Sequence, residues 1–363
     1  MNLNNDSYRV VRHWSVTLMI STTLLLVSAT ANALKWAEPS HSVQPDRRLP
    51  KWQPAPLEIE PEESLNIVGA DVMDEMTLGW VKLMRRAYPL LSVTMEARAS
   101  GSGGPALTEG LAHVATVGRE LLPAEEQAFI ARYGYPPVAF RVATGSVGSL
   151  GKTAASIVMV DRDNPIKCLS LPQLDAIYSK QSGRGSSPIR TWGDLGLTGE
   201  WARRPIHLYG LRHPNGIEWY FRQVVMNGGA YREDIEFVRG RGHVHAFNVA
   251  AEEMADKPGG LTYALLANIQ KNTRAVPLSF ETGGQCILPT TRTVYDHSYP
   301  LSRFVYVFVN VAPGKKLEPK AREFIKAILS FDGQKQVADD RVYLPLTPEI
   351  LQAELARLDA LSR

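Results

Sequence analysis

Three short stretches carry residue types that hold a small anion without covalent chemistry. The first runs from Gly69 through Ala70, Asp71 and Val72 to Asp74, where an apolar run gives way to a helical pattern. There the N–H groups of Asp71, Val72 and Met73 would face a ligand, or Asp71 or Asp74 would simply cap the helix. The second, Ser100-Gly101-Ser102-Gly103-Gly104, offers two hydroxyls and glycines whose backbone a ligand can approach closely. The third is "YGLRHPNGIEWYF", Tyr209 to Phe221. Asn215 is a candidate cap, Gly216 and Ile217 open a helix, and Arg212 stands beside them, a combination suited to carboxylate, phosphate or sulfate. The alternative is an Asn-Gly turn with a solvated Arg212. A further cation, Arg119, follows an apolar run and Gly118. It would add positive charge to a cleft, or pair with Glu120 or Glu125 on the surface.

Other chemistry is poorly supported. Val142 to Thr153, "VATGSVGSLGKT", ends in Gly-Lys-Thr like a phosphate-cradling nucleotide loop. That loop needs a glycine where Ser146 stands and a helix after the lysine. The residues that follow, "AASIVMVDRDNP", are a β-branched run closed by Pro165, so the stretch reads as a connector between strands. His243 and His245 have no third metal ligand nearby. No nucleophile elbow, zinc-helix motif or paired-carboxylate spacing stands out. No cofactor is expected, and neither is an enzyme. The remaining rival, an exported hydrolase of phosphate esters, needs a nucleophile or metal cluster that the sequence does not show; loss of turnover on changing His243 or His245 would support it.

The chain has 363 residues, with 40 basic and 37 acidic side chains. So small an imbalance argues against nucleic acid as a partner. Its start is basic (Arg9, Arg12, His13) and is followed by the uncharged run Trp14–Ala29 and small residues at Ala31-Asn32-Ala33. This is the pattern of a secretory signal cleaved after Ala33, and the run is short for a membrane anchor. The expected product is exported, soluble and monomeric, long enough for two compact cores. Cys168 and Cys286 are either a disulfide, as an oxidising compartment favours, or two buried thiols.

Ordered elements must hold these loops in place. Residues 34–63 are rich in Pro and charge and read as an extended leader draped on the surface or partly mobile. Then strands and helices alternate. "LNIVGA", "LSVTME", "HVATVG", "VAFRVAT", "SIVMV", "PIHLYG", "GLTYALL" and "RAVPLS" read as strands, and Tyr299–Asn310 as a strand long enough to link two domains. Met73, Met76, Trp80, Leu83, Met84 and Ala87 fall on one helical face. A short helix is expected from Pro105, and a longer one between Pro123 and Gly134. This pattern predicts an α/β protein with largely parallel sheets, whose ligands sit at the carboxyl ends of strands.

The order of pieces resembles the phosphate-binding component of phosphate ABC transporters, in the type II periplasmic binding protein class. The resemblance rests on "SGSGG", "VATVGRELLPAEE", "RYGYPPVAFRVATGS", "VDRDNPIKCLSLPQLDAIYS", "TWGDLG", "YPLSRFVYVFVN" and "FDGQKQVADDRVYLPL", between about Leu65 and Pro348. It implies two α/β lobes with an anion trapped between them, presented to a permease in the inner membrane from the periplasm. Lobe I would comprise residues 64–143 and 300–363, and lobe II residues 144–299. The implied contacts are Ala70 to Val72, Ser100 to Gly103, Arg119, and Arg212 with Asn215, Gly216 and Ile217. The family usually places an Arg four residues before a Ser-Gly-Thr helix start. Here Leu211 holds the Arg position, Arg212 is one place late, and Asn215-Gly216-Ile217 replaces the hydroxyls. The family also uses a carboxylate to accept the ligand's proton; Arg119, near that position, has no acceptor. A dianion without ionisable protons, or a larger anion, suits such a site as well as phosphate. An exported interaction or sensor protein that has lost tight binding is the rival reading.

Overall fold

The computed structural model describes residues 43–99, 101–149, 151–241 and 246–362. They form two α/β lobes, each around its own sheet. In lobe I the sheet has strands β1 (Ser64–Ala70), β2 (Ser92–Arg98), β3 (Val114–Val117), β4 (Val138–Thr144) and β12 (Phe304–Val309) in the order β2-β1-β3-β12-β4. Lobe II is built on β5 (Ser156–Asp161), β7 (His207–Leu211), β8 (Glu236–Val238), β9 (Gly260–Leu265) and β10 (Thr273–Ala275), ordered β10-β5-β9-β7-β8. A small parallel ladder joins β6 (Leu169–Ser170) to β11 (Leu278–Ser279).

Both sheets are mixed, against the largely parallel expectation. β12 runs antiparallel to β3 and β4, and β5 runs antiparallel to β9 and β10. In lobe I the reason is the chain path: β12 returns from lobe II and enters the middle of a sheet whose other strands all precede that lobe in the chain. Alternation sets its faces. Val305, Val307 and Val309 point into the main lobe I core, while Phe308 and Tyr306 join a second cluster with Phe129 on the other face. The expected long strand is shorter than predicted. Tyr299–Leu301 form a turn, with Leu301 in the lobe II core, and pairing begins only at Phe304.

Helix α1 (Asp74–Ala87) covers one face of the lobe I sheet. Met76, Trp80, Val81 and Met84 are buried, whereas Leu83 is half-buried, so the inner face is turned slightly from the predicted stripe. Trp80 Nε1 donates to Gly333 O at 3.0 Å, and its ring meets Phe324 edge-on. These partners lie in helices α8 (Pro319–Ile328) and α9 (Phe331–Asp340), and α10 (Pro348–Ala360) closes the lobe. Helices α2 (Gly103–Thr108) and α3 (Pro123–Tyr133) pack on the other face. Lobe II adds α4 (Leu171–Tyr178), α5 (Gly216–Met226), α6 (Ala246–Asp256) and the short α7 (Thr291–Tyr295).

The described part of the leader, residues 43–63, forms no helix or strand, and from Leu49 onward it packs against lobe I. Leu49, Trp52, Leu57 and Ile59 pack on its core. Trp52 N–H donates to Asp332 (2.8 Å), Ala55 N–H to Glu323 (3.2 Å), and Phe331 N–H to Pro50 O (3.0 Å). Cys168 and Cys286 form a disulfide beside the β6–β11 ladder. Among the described residues no helix is long and apolar enough to cross a membrane.

Candidate functional site

The carboxyl ends of β1 and β3 lie side by side because Gly69 permits it. A Cβ at Gly69 would stand 2.0 Å from Thr116 O. The chain leaves β1 through buried Ala70 into a single 3-10 turn, Asp71–Met73. Ser102 Oγ donates to Gly69 O at 3.1 Å, tying the second loop to the first. Gly103 backs onto Thr116 O, where a Cβ would come within 2.9 Å. α2 starts at Gly103, two residues before the predicted Pro105 start.

The first loop behaves differently from expectation. Val72 N–H donates to Asp71 Oδ1 (2.9 Å), and Asp74 Oδ1 accepts from Glu75 N–H (2.9 Å). The Val72 donor is therefore already used, and neither Asp71 nor Asp74 provides a side-chain N-cap. Ser100, like His243 and His245, lies outside the described residues.

Arg119 is the focus of the lobe I edge. Its Nη1 donates to Glu125 Oε2 (2.7 Å) and Glu120 O (2.9 Å), and its Nη2 to Glu125 Oε1 (2.8 Å). Both partners are nearly buried, with side-chain exposures of 12% and 14%. Glu125 also accepts the Leu122 N–H (2.8 Å), so the first turn of α3 fixes it. Three of the five guanidinium N–H groups are thus used, and among the described residues the Nε–H and one Nη2–H take no partner. Those two lie on one side of the guanidinium, the pairing that can donate to two oxygens of one oxyanion. Gly101 opens toward this group: a Cβ added there would meet Arg119 Nη2 and Glu125 Oε1 only at 3.9 Å.

Lobe II meets Arg119 at Gly216. A Cβ on Gly216 would lie 2.5 Å from Arg119 Cδ and 3.3 Å from its Nε. Gly216 is the first residue of α5, so a helix N-terminus and an arginine approach from opposite lobes. Asn215 caps α5: its Oδ1 accepts from Ile217 N–H (2.9 Å) and Glu218 N–H (3.3 Å). This uses two helix donors and leaves the Asn215 amide NH2 as a donor group. Arg212, His213 and Pro214 are exposed on the loop before the cap.

Several supporting residues gave little sign in the sequence. Lys152 Nζ donates to Val72 O (3.2 Å), Tyr343 OH donates to the same carbonyl (2.9 Å), and Thr153 Oγ1 donates to Gly118 O. Lys152 and Thr153 thus buttress the turn after β1 and the loop after β3, and the strand β5 that follows rules out a nucleotide loop. Arg303, 3% exposed at the crossover, pairs with Glu120 of lobe I (3.1 Å) and lies over the Tyr220 ring of lobe II (4.6 Å).

Glu218, in the first turn of α5, is fully buried. Burial raises its carboxyl from an ordinary 4.5 to about 7, with Arg222 opposing the shift. The folded state therefore binds more protons than the unfolded chain between these values. The associated stability is fully present below pH 4.5 and is lost as pH rises through about 7. Glu218→Gln is expected to remove that falling limb and to be more stable than the parent by about 3 kcal/mol above pH 8. Urea unfolding across pH 5 to 9 checks this; parallel profiles for the two proteins would contradict it.

Two lobes built on mixed sheets, linked by crossover segments and facing one another across loops at strand ends, define a periplasmic-binding-protein-like receptor. The chain belongs to that superfamily: a family profile described as the PBP superfamily domain matches residues 56–331. It is also homologous to the phosphate-binding protein PstS of Pseudomonas aeruginosa, 32% identical over 314 residues that cover 86% of this chain and 91% of the relative. The phosphate-binding protein PstS of Staphylococcus aureus strain USA300 is 26% identical over 204 residues, 56% of this chain and 57% of the relative. The crystal structure of PstS from Borrelia burgdorferi shares the fold, with a TM-score of 0.50 and 17% identity over 79% of this chain and all of that one.

Proposed function

We propose that the protein is an exported solute-binding receptor that captures phosphate, or a phosphate-like oxyanion, between its lobes and delivers it to an ABC permease. One observation carries the reading: Arg119, with its side-on pair of donors unused, lies with its Cδ and Nε against Gly216, the first residue of α5, across the cleft. The homology to PstS supports the same ligand class. In this reading the contacts are the Ala70–Val72 turn, the Ser100–Gly103 loop, Arg119, and Arg212 with Asn215, Gly216 and Ile217. Closure of the lobes around the anion removes water and strengthens each hydrogen bond to it. The signal is cleaved after Ala33, the receptor acts in the periplasm as a monomer, and lobe I is made of residues 64–143 and 300–363. Its role is binding rather than catalysis.

A second reading is favoured by Asn215, whose cap occupies two helix donors. An exported interaction or sensor protein would tolerate that loss. Thermal unfolding of the mature protein with phosphate, sulfate, phosphonates, nucleotides and carboxylates separates the two. A receptor gains about 2.7 kcal/mol at a hundred times its Kd. A selective rise of Tm with phosphate is the expected result; a flat panel would sink the receptor reading in favour of the second.

A further inference from the structure

Glu218 has no part in gripping the anion, yet it lies within one helical turn of Gly216. Its side chain has no exposed surface, and neither carboxylate oxygen receives a well-aligned hydrogen bond. Four titratable or charged groups face it. His213 Nδ1, on the loop before α5, is 2.8 Å from Oε2. Arg222, one turn along α5, places Nε 3.2 Å from Oε1. Tyr231 faces it from the segment before β8, and Tyr263 from β9, with the two phenol oxygens 3.3 Å apart. His213 is 48% exposed and so connects this buried group to solvent.

The position is electrostatically awkward. A negative charge inside the first turn of a helix suits the helix dipole only while no other anion uses that terminus. Once an oxyanion docks at Gly216, two negative charges share one helix end in a water-poor cleft, and one of them is driven toward its neutral form. Arg222 offsets only one charge. Glu218 also titrates near neutrality before any anion arrives, since burial has raised it to about 7.

On the receptor reading above, we propose that Glu218 is the proton partner of the anion: docking of the oxyanion is accompanied by protonation of the Glu218 carboxylate. The proton comes from solvent by way of the His213 imidazole. The Nδ1–H bond of the protonated imidazole breaks as the O–H bond forms at Oε2, and the ring regains a proton from water or a buffer acid. By linkage, the receptor then holds its anion more tightly as the medium acidifies, and bound anion makes Glu218 a weaker acid by the same factor.

Calorimetry of the mature protein with inorganic phosphate, between pH 6 and 8.5 and in buffers of different ionisation enthalpy, counts the protons taken up. The ionisation of phosphate itself is common to all variants and cancels in the difference. The parent is expected to take up more protons than Glu218→Gln at pH 7.5. Glu218→Gln should bind about tenfold tighter than the parent at pH 8.5 and equally at pH 6. His213→Asn alters a half-exposed side chain and should keep the extra uptake, because the carboxylate is the proton's destination. Phosphate binding with the same uptake in parent and Glu218→Gln overturns this proposal alone. Uptake that disappears with His213→Asn but persists in Glu218→Gln also overturns it, assigning the proton to the histidine. If the parent binds no phosphate at any pH, both the receptor reading and this proposal fall.

Discussion

Replacing Cys168 and Cys286 together with serine is expected to lower the stability of the protein by about 4 kcal/mol. The disulfide joins residues 118 apart, so it closes a loop that contains most of lobe II. A long cross-linked loop removes many conformations from the unfolded chain, and the stabilisation grows with the logarithm of loop length. The bridge also sits where local structure is thin. Leu169 and Ser170 pair with Leu278 and Ser279 in a ladder only two residues long, and Leu278 pairs in turn with Ile287. Without the bridge, that ladder must be formed from ends that no longer start out close. Urea unfolding of the double variant, alongside the parent with and without reductant, measures the effect. The reduced parent should match the double variant. A stability unchanged within about 1 kcal/mol would mean that the lobe II core alone holds the ladder closed.

Arg119→Ala carries the other large expected effect, and it acts on both stability and binding. Glu125 loses both arms of a bidentate pair while remaining nearly buried, with only the Leu122 N–H left. Removing one partner of such a pair costs about 3 kcal/mol, because the other charge stays desolvated. Adding Glu125→Gln should restore most of that stability. It should not restore anion binding, since the side-on fork is gone. The expected fall in phosphate affinity is at least about a hundredfold. Arg119→Lys distinguishes charge from geometry: a lysine keeps the positive charge but cannot present two parallel donors. It is expected to fold almost normally and bind weakly. Tm shifts and calorimetry on the three variants check both halves, and parental affinity in Arg119→Lys would show that charge alone suffices.

Local rules made much of the architecture readable. Pro123 and Gly134 bracket α3, with Gly134 in the left-handed conformation that glycine favours. Asn215 caps α5 through the oxygen its type supplies. Ile157, Val158 and Val160 mark β5 as a buried strand, and all three lie in the lobe II core. What escaped notice depended on distant parts of the chain. The antiparallel entry of β12 follows from where the chain returns, and the turn Tyr299–Leu301 follows from the crossover between lobes. Nothing in the spacing shows that Arg119 lies against Gly216, far along the chain, or that Lys152 and Tyr343 share the Val72 carbonyl. Glu218 is the sharpest case. An acidic residue three places after a cap looks like an ordinary partner of the helix start, and only packing turns its side chain inward.

If the chain is exported as proposed above, the path of the leader sets when lobe I can close. Its anchors on α8 and α9 are among the most remote in the chain: Trp52 to Asp332 spans 280 residues, and Ala55 to Glu323 spans 268. β12, an inner strand of the lobe I sheet, is also made late. The first segment of the lobe to be made therefore waits for nearly the last before it has a surface to lie on. Loop closure over such distances is slow, and native contacts reward it only at the end. Lobe II draws its core from Val147 to Leu301, with only Leu344 added from later in the chain, so it faces much less of this delay. On the proposed export route, lobe I then closes only when translocation is nearly complete, as a final clasp.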